Sequence, residues 1–470
     1  MPERWSAMLR KPPRWLSGVA WLVIAVEVTV AGGFLVSGAA RDLHQIREPA
    51  EPRGGGLAEV LDGTAPSGTA VDRGSRTEAV RDLLAARARA VIRRDRASFL
   101  ATVDPAAPEL RTRQAAFFDH MAAVPIGTWS YRLDPEQETL LPAGVAAAYG
   151  DAVWAPEVRL RYGIAGYDPK PTVQQARYRF VRYGTRWYLA DDGLAAAGPA
   201  DETGTGTADG TVRNLWHFGP VSVVRGRGVL VLGHPGSEAL MRTVRDIAEQ
   251  AVPAVSAVWG DWRRRVVILV PNTTDELGRL VEEPGDLSGM AAFTSADVPA
   301  SGPPVGRRVV INPKAFGDLS PFGKRVVLTH EVVHVATRHA TSRGTPHWLA
   351  EGFADYVAYR GTGVSPRRAA RELAHEVADG TLPDRLPELA DFRPGGSRIS
   401  QAYQEAWLAC RMIAQRTDVE TLVRLYRRLS TADGDPDAEL DAALRDELGL
   451  GTEDFVGVWR HYLDEHLGDE

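Results

Sequence analysis

Between His330 and Tyr356 the chain reads HEVVHVATRHATSRGTPHWLAEGFADY, and these residue types at these spacings could activate water on a metal ion. An α-helix advances about 100° per residue, so His330 and His334 project from one face, one turn apart, where two imidazoles can share one ion. Glu331 sits a step round that face, placed to accept a proton from a water rather than to ligate. Catalytic zinc takes three protein ligands and leaves the fourth place to water or substrate, so a third ligand is needed. Glu351 supplies it. The chemistry is metal-assisted hydrolysis with one zinc per chain.

Two helices must hold these groups. Val326, Val327 and Leu328 lead into the first, and Thr341-Ser342-Arg343-Gly344 offers stop chemistry with a glycine cap. Thr345 then fits an N-cap and Pro346 the first helical position, which puts Glu351 in the second turn of a new helix. Asp355, one turn further, can take the other N–H of His330 or His334 and fix that ring. An exposed helix carrying solvated histidines is the rival reading, and EGFAD at this distance argues against it.

In HEVVH and EGFAD the chain resembles the gluzincin metallopeptidases, the peptidase MA-like group that includes thermolysin-type and aminopeptidase-type enzymes. The likeness extends more loosely from about Val212 to the C-terminus. It implies that His330, His334 and Glu351 are zinc ligands, Glu331 the general base and Asp355 the partner of a ligating histidine, with a peptide or protein as substrate. Sixteen residues separate His334 from Glu351, two fewer than in the aminopeptidase-type pattern. The resemblance also implies a downstream donor for the oxyanion: Tyr403 is the candidate, with Tyr356, Tyr359 and His375 as rivals. It further implies a sheet edge that takes extended substrate, for which Gly289-Met290-Ala291-Ala292-Phe293 is available, unless that run is an ordinary strand or loop.

The competing pattern HExxHxxGxxH fails, because Thr337 and Ala340 stand where its glycine and third histidine belong. His339 is one residue out of register and reads as a solvated or helix-capping histidine.

The whole chain has 470 residues, enough for two or three cores, and a net charge of −6 that gives no footprint for nucleic acid. Its single cysteine, Cys410, lies in an apolar run and excludes an intrachain disulfide. The segment 15–40 is apolar apart from Glu27, and its 26 residues at ~1.5 Å each exceed the ~30 Å hydrocarbon core. With Arg4, Arg10, Lys11 and Arg14 before it, the expectation is a single membrane-spanning helix, residues 1–14 cytoplasmic and the remainder extracytoplasmic. A cleaved signal peptide ending near Ala40 is the alternative.

Residues 41–76 read as a Pro/Gly-rich linker, 77–197 as a unit of helices followed by antiparallel strands, 198–211 as a second linker and 212–470 as the gluzincin-like part. The 77–197 unit loosely resembles the nuclear transport factor 2-like cone; His120 stands alone in it, and its alternating arginines fit a solvated sheet face. The expected fold class is α+β: the anchor, the cone, then a mixed sheet on helices closed by a helical C-terminal subdomain, where Leu422, Leu425, Tyr426 and Leu429 form a core stripe. Two functions follow: a membrane-anchored zinc peptidase, or a catalytically silent sensor that keeps the fold. Intact Glu331 favours the enzyme, since a structural metal has no use for an acid there.

Overall fold

A computed structural model of the chain describes residues 27–31, 73–141, 152–194, 213–281, 289–298, 305–342, 344–393 and 395–468. The order begins with strand β1 (Glu27–Ala31), helices α1 (Arg73–Arg93), α2 (Arg96–Leu100) and α3 (Pro108–His120), then strands β2 (Ile126–Glu138), β3 (Val153–Trp154), β4 (Pro156–Ile164), β5 (Thr172–Ala176), β6 (Arg179–Tyr183) and β7 (Arg186–Asp191). There follow β8 (Ser222–Arg225), β9 (Val229–Gly233), α4 (Glu238–Trp259), β10 (Val266–Val270), α5 (Thr274–Val281), β11 (Ala292–Val298) and β12 (Val305–Ile311). The rest is helical: α6 (Pro313–Asp318), α7 (Pro321–Thr337), α8 (His347–Tyr359), α9 (Pro366–Ala369), α10 (Arg371–Ala378), α11 (Ile399–Arg416), α12 (Val419–Leu429), α13 (Pro436–Leu448) and α14 (Thr452–Leu467).

A six-stranded mixed sheet in the order β1-β11-β12-β10-β9-β8 carries the C-terminal half. Strands β9, β10 and β12 run parallel, while β8 pairs antiparallel with β9 and β11 antiparallel with β12. The runs VLVL in β9 and VVILV in β10 have no polar alternation, as expected of strands covered on both faces. Val229, Val231, Val266 and Ile268 pack on the helices in the largest core, with α4, α7, α8 and α11. Leu230, Leu232 and Val267 point the other way, into a second core with Phe117, Trp129, Tyr162 and Trp216. The second core joins the 77–197 stretch to the sheet, so the middle unit packs on the C-terminal half. A buried ion pair reinforces the seam: Arg308 of β12 donates to both oxygens of Asp168, at 2.8 and 2.7 Å.

Two sequence expectations are corrected. The membrane-spanning helix at 15–40 is overturned where the structure describes it: Glu27–Ala31 is a strand, paired parallel with β11 from Glu27↔Thr294 to Ala31↔Val298. Among the described residues no helix is long and apolar enough to cross a membrane. The anchor, and the single-pass orientation deduced from it, are withdrawn; hydropathy alone does not distinguish an apolar run that spans lipid from one that pairs with a sheet. The remainder of 15–40, the linker expected at 41–76 as far as residue 72, and the linker at 198–211 lie outside the described residues; residues 73–76 belong to helix α1 and not to a linker. The second correction concerns the sheet edge. β11 begins at Ala292 and is bordered by β1, so it is an inner strand.

The strands of the middle unit are antiparallel as expected but form two three-stranded sheets, β2-β4-β5 and β3-β6-β7, where the resemblance implied the single curved sheet of a cone. The alternation read in Val158-Arg159-Leu160-Arg161-Tyr162 holds: the apolar residues are buried and both arginines exposed. Between Pro366 and Ala378 the helical course is broken at Ala370 into α9 and α10.

Candidate metal centre

Helix α7 is started by Ser320, whose hydroxyl accepts from the Gly323 amide at 3.1 Å, with Pro321 at the first position. Val326, Val327, Leu328, Val332 and Val333 bury it on more than one side, which is how a helix bearing His330, Glu331 and His334 lies inside the core. It ends at Thr337, before the anticipated glycine stop. Helix α8 starts one residue later than expected: Pro346 is its N-cap, and Thr345 Oγ1 instead accepts from the Ser342 amide at 3.1 Å.

Close packing sets the position of Glu351. A Cβ at Gly352 would run into the Ala406 carbonyl of α11 and come within 2.9 Å of Cys410 Sγ, so the absence of a side chain lets α8 and α11 touch. Cys410 is fully buried, and burial pushes its thiol well above the usual range. That suits a packing role.

Three ligand atoms converge from these helices. His330 Nε2 lies 3.0 Å from His334 Nε2 and 3.2 Å from Glu351 Oε2, and His334 Nε2 lies 3.5 Å from the same oxygen. Tetrahedral ligands held ~2.0–2.1 Å from zinc are about 3.3 Å apart, so the spacing fits one ion. The chemistry of the donors agrees. His330 Nδ1 lies 2.7 Å from Asp355 Oδ1, so a neutral ring donates there and offers Nε2 as a lone pair. That lone pair faces a second imidazole nitrogen and a carboxylate, all three residues being almost fully buried. Although His330 and Glu351 are within ion-pair distance, neither Glu351 oxygen makes a hydrogen bond. With both imidazoles neutral these are acceptors gathered around one point, which is what a cation requires. His330, His334 and Glu351 therefore form a group able to hold a metal ion.

The surrounding charges act in opposite directions. Burial works against the His330 imidazolium, but Asp355 and Glu351 outweigh it and hold its pKa well above the ordinary value. Burial lifts the Glu331 carboxyl to about 6, against the pull of His330, His334 and the Thr294 hydroxyl. Thr294 Oγ1 of β11 donates to Glu331 Oε2 at 2.6 Å, while Glu331 Oε1 is buried without a partner. One oxygen orients the side chain and the other is available to a proton.

Tyr403 of α11 is buried, its ring 6.3 Å from that of His330 and 5.0 Å from Phe392. Of its rivals, Tyr359 lies tilted against Trp407 with ring centres 4.7 Å apart, Tyr356 is half-buried and His375 is exposed. His339 is exposed just beyond α7, outside the ligand group, and His120 Nδ1 meets the Trp216 carbonyl at 3.0 Å. Three neighbours escaped the sequence reading. His347 Nε2 is 3.9 Å from Glu351 Oε1, an i,i+4 relation that was visible on the predicted helix. Thr294 and Arg307, which donates to the His334 carbonyl at 2.9 Å, come from strands whose register no local signal gives.

No family model matches the chain, and no curated protein does. Among solved structures it is similar to the M1 zinc metallopeptidase from Deinococcus radiodurans, at 14% identity and a TM-score of 0.29 over 51% of each chain. A mutant of that enzyme bound to a Tyr-Ser-Ala substrate gives 15% identity and a TM-score of 0.28, over 51% of this chain and 52% of that one. The chain thus spans about half the length of these enzymes. TM-scores this low carry no argument about fold or activity, and the centre is read from its own geometry.

Proposed function

We propose that the chain is a zinc-dependent peptidase in which His330, His334 and Glu351 hold the metal. The observation that carries this is the convergence of three buried ligand atoms, with a Glu351 carboxylate that makes no hydrogen bond, beside an unpartnered Glu331 oxygen. Zinc held there would supply Lewis-acid polarisation of a carbonyl and lower the pKa of a water. Glu331 accepts that water's proton on Oε1 and returns it to the leaving amine, while Thr294 fixes the carboxylate through Oε2. Asp355 keeps His330 in the tautomer that presents Nε2. Tyr403 is the proposed donor to the developing oxyanion. The substrate is a peptide or protein.

Full burial of His330, Glu331 and Glu351 favours a second reading, a silent binding protein with structural metal, which needs no access for substrate. Elemental analysis and a peptide-hydrolysis assay on the purified chain separate them. The peptidase reading expects about one zinc per chain, lost in His334→Ala, and hydrolysis by the loaded parent alone. Bound zinc with no hydrolysis of a broad peptide library supports the second reading. A folded chain that takes up no zinc on reconstitution overturns both.

A further inference from the structure

Where the middle unit meets the C-terminal half lies a cavity of about 460 Å³, inside the ~300–1,000 Å³ span of small-molecule sites. Its aromatic surface comes from Trp259 at the end of α4, Trp262 in the loop beyond, and Tyr167 in the β4–β5 connection. Its charged surface is cationic: Lys170, Arg263, Arg265, Arg307 and Arg427 line it against two carboxylates, Asp168 and Asp261.

Asp168 does not neutralise that lining. Its two oxygens accept from Arg308 at 2.8 and 2.7 Å, and Oδ2 also accepts from the Ile164 amide at 2.7 Å. Arg265 donates to the Arg264 carbonyl at 3.2 Å, and Arg427 to the Trp259 carbonyl at 2.7 Å with its guanidinium 4.9 Å from the Trp259 ring centre. These arginines thus spend their described bonds on carbonyls. Among the described residues Lys170 and Arg263 likewise have no carboxylate partner. Lys170, Arg263, Arg265 and Arg427 are exposed, so they form a cationic rim around the aromatic surface, and such a rim attracts an anion. The walls are also held in place beforehand: the Arg308–Asp168 pair fixes the connection bearing Tyr167 and Lys170, and the Arg427 bond ties α12 to the end of α4.

We infer that this cavity binds a small organic anion, an aromatic or alicyclic body carrying one carboxylate or phosphate group. The body lies against Trp259, Trp262 and Tyr167, and the anionic group takes paired N–H donors from the arginines. The site is separate from the metal centre, though Val335 and Ala336 of α7 form part of its wall and Arg307 also holds the His334 carbonyl. It does not depend on the peptidase reading.

Isothermal titration calorimetry of the full chain with 2-naphthoate and with 1-naphthyl phosphate tests this. One anion or both should bind at one site per chain, and the better of them identifies the acid group. Neutral 2-naphthol and inorganic phosphate should each bind at least about tenfold more weakly, and so should the anions to Arg263→Glu/Arg265→Glu. Should that double variant not fold by circular dichroism, Lys170→Glu on its exposed loop replaces it. Absence of saturable binding by both anions overturns the inference. So does equal binding of 2-naphthol, which would make the cavity merely apolar, or affinity unchanged by charge reversal.

Discussion

In the middle unit Arg87 is fully buried, stacked 3.8 Å over Phe99, and donates to Thr102 Oγ1 at 3.1 Å and to Gln114 Oε1. Gln114 passes the network on to Asp192 Oδ2 at 2.8 Å, and Arg113 donates to Asp192 Oδ1 at 3.0 Å. Each carboxylate oxygen has its donor. In the metal centre the same kinds of group are buried as deeply, yet acceptors face acceptors and Glu351 has no hydrogen bond at all. Burial of charge is common to both. What separates a structural network from a site is whether the protein supplies the counter-groups itself or leaves them to a ligand.

The largest effect that would test the contrast is chemical. Glu331→Gln keeps the shape and the Thr294 contact but removes the proton acceptor, so peptide hydrolysis should fall by roughly 10²–10⁴-fold while zinc content stays that of the parent. Equal hydrolysis by both would end the general-base assignment. Next comes Asp355→Asn, which leaves His330 able to ligate but weakens the hold on its ring. Competition with a chelator should show zinc bound about 10–100-fold more weakly, with little change in thermal unfolding. An unaltered affinity would make Asp355 a packing residue.

The opposite pattern is expected in the middle unit. Asp192→Asn strips the charge from a network that is satisfied, so it should cost ~1–3 kcal/mol of stability in urea unfolding and leave zinc affinity untouched. Loss of zinc in this variant would mean that the two buried networks are coupled through the shared core, and the contrast would fail.

The contrast also explains what could be read from the sequence. His330, Glu331, His334, Glu351 and Asp355 lie on two helices, where i,i+4 geometry converts spacing directly into position, and they converge as that geometry requires. The apolar run Val266–Val270 reads from the sequence as a buried strand, and it is β10. Thr294 was not legible, because its approach to Glu331 depends on which strand lies beside α7, a long-range pairing. The packing of the middle unit on the sheet was hidden likewise: Leu230, Leu232 and Val267 announce burial but not the Trp129 and Trp216 that cover them. The segment 15–40 failed for a related reason, since an apolar run satisfies a bilayer and a sheet alike.

His234 offers an intermediate case, and the smallest effect. Its Nδ1 lies 2.8 Å from the Pro220 carbonyl and its Nε2 2.5 Å from Glu276 Oε1, so both ring nitrogens face acceptors, as in the metal centre. Here, however, Glu276 Oε2 already accepts from the Asn272 amide at 2.9 Å, and one added proton satisfies the ring. Burial opposes that proton, but the hydrogen bonds to Glu276 and Pro220 outweigh it and raise the His234 pKa above 6.5. A histidine raised in the folded state contributes stability that is complete below its unfolded pKa and is lost as pH climbs through the folded value. Stability measured by urea unfolding should therefore decline as pH rises from about 6.5, by under roughly 1.5 kcal/mol in total, and His234→Gln should flatten that decline. Parallel profiles for parent and variant would show that the folded chain binds no extra proton at His234. The pairing of His234 with Glu276 would then be a neutral contact, and convergence on a carboxylate would point to a metal only where, as at Glu351, neither oxygen makes a hydrogen bond.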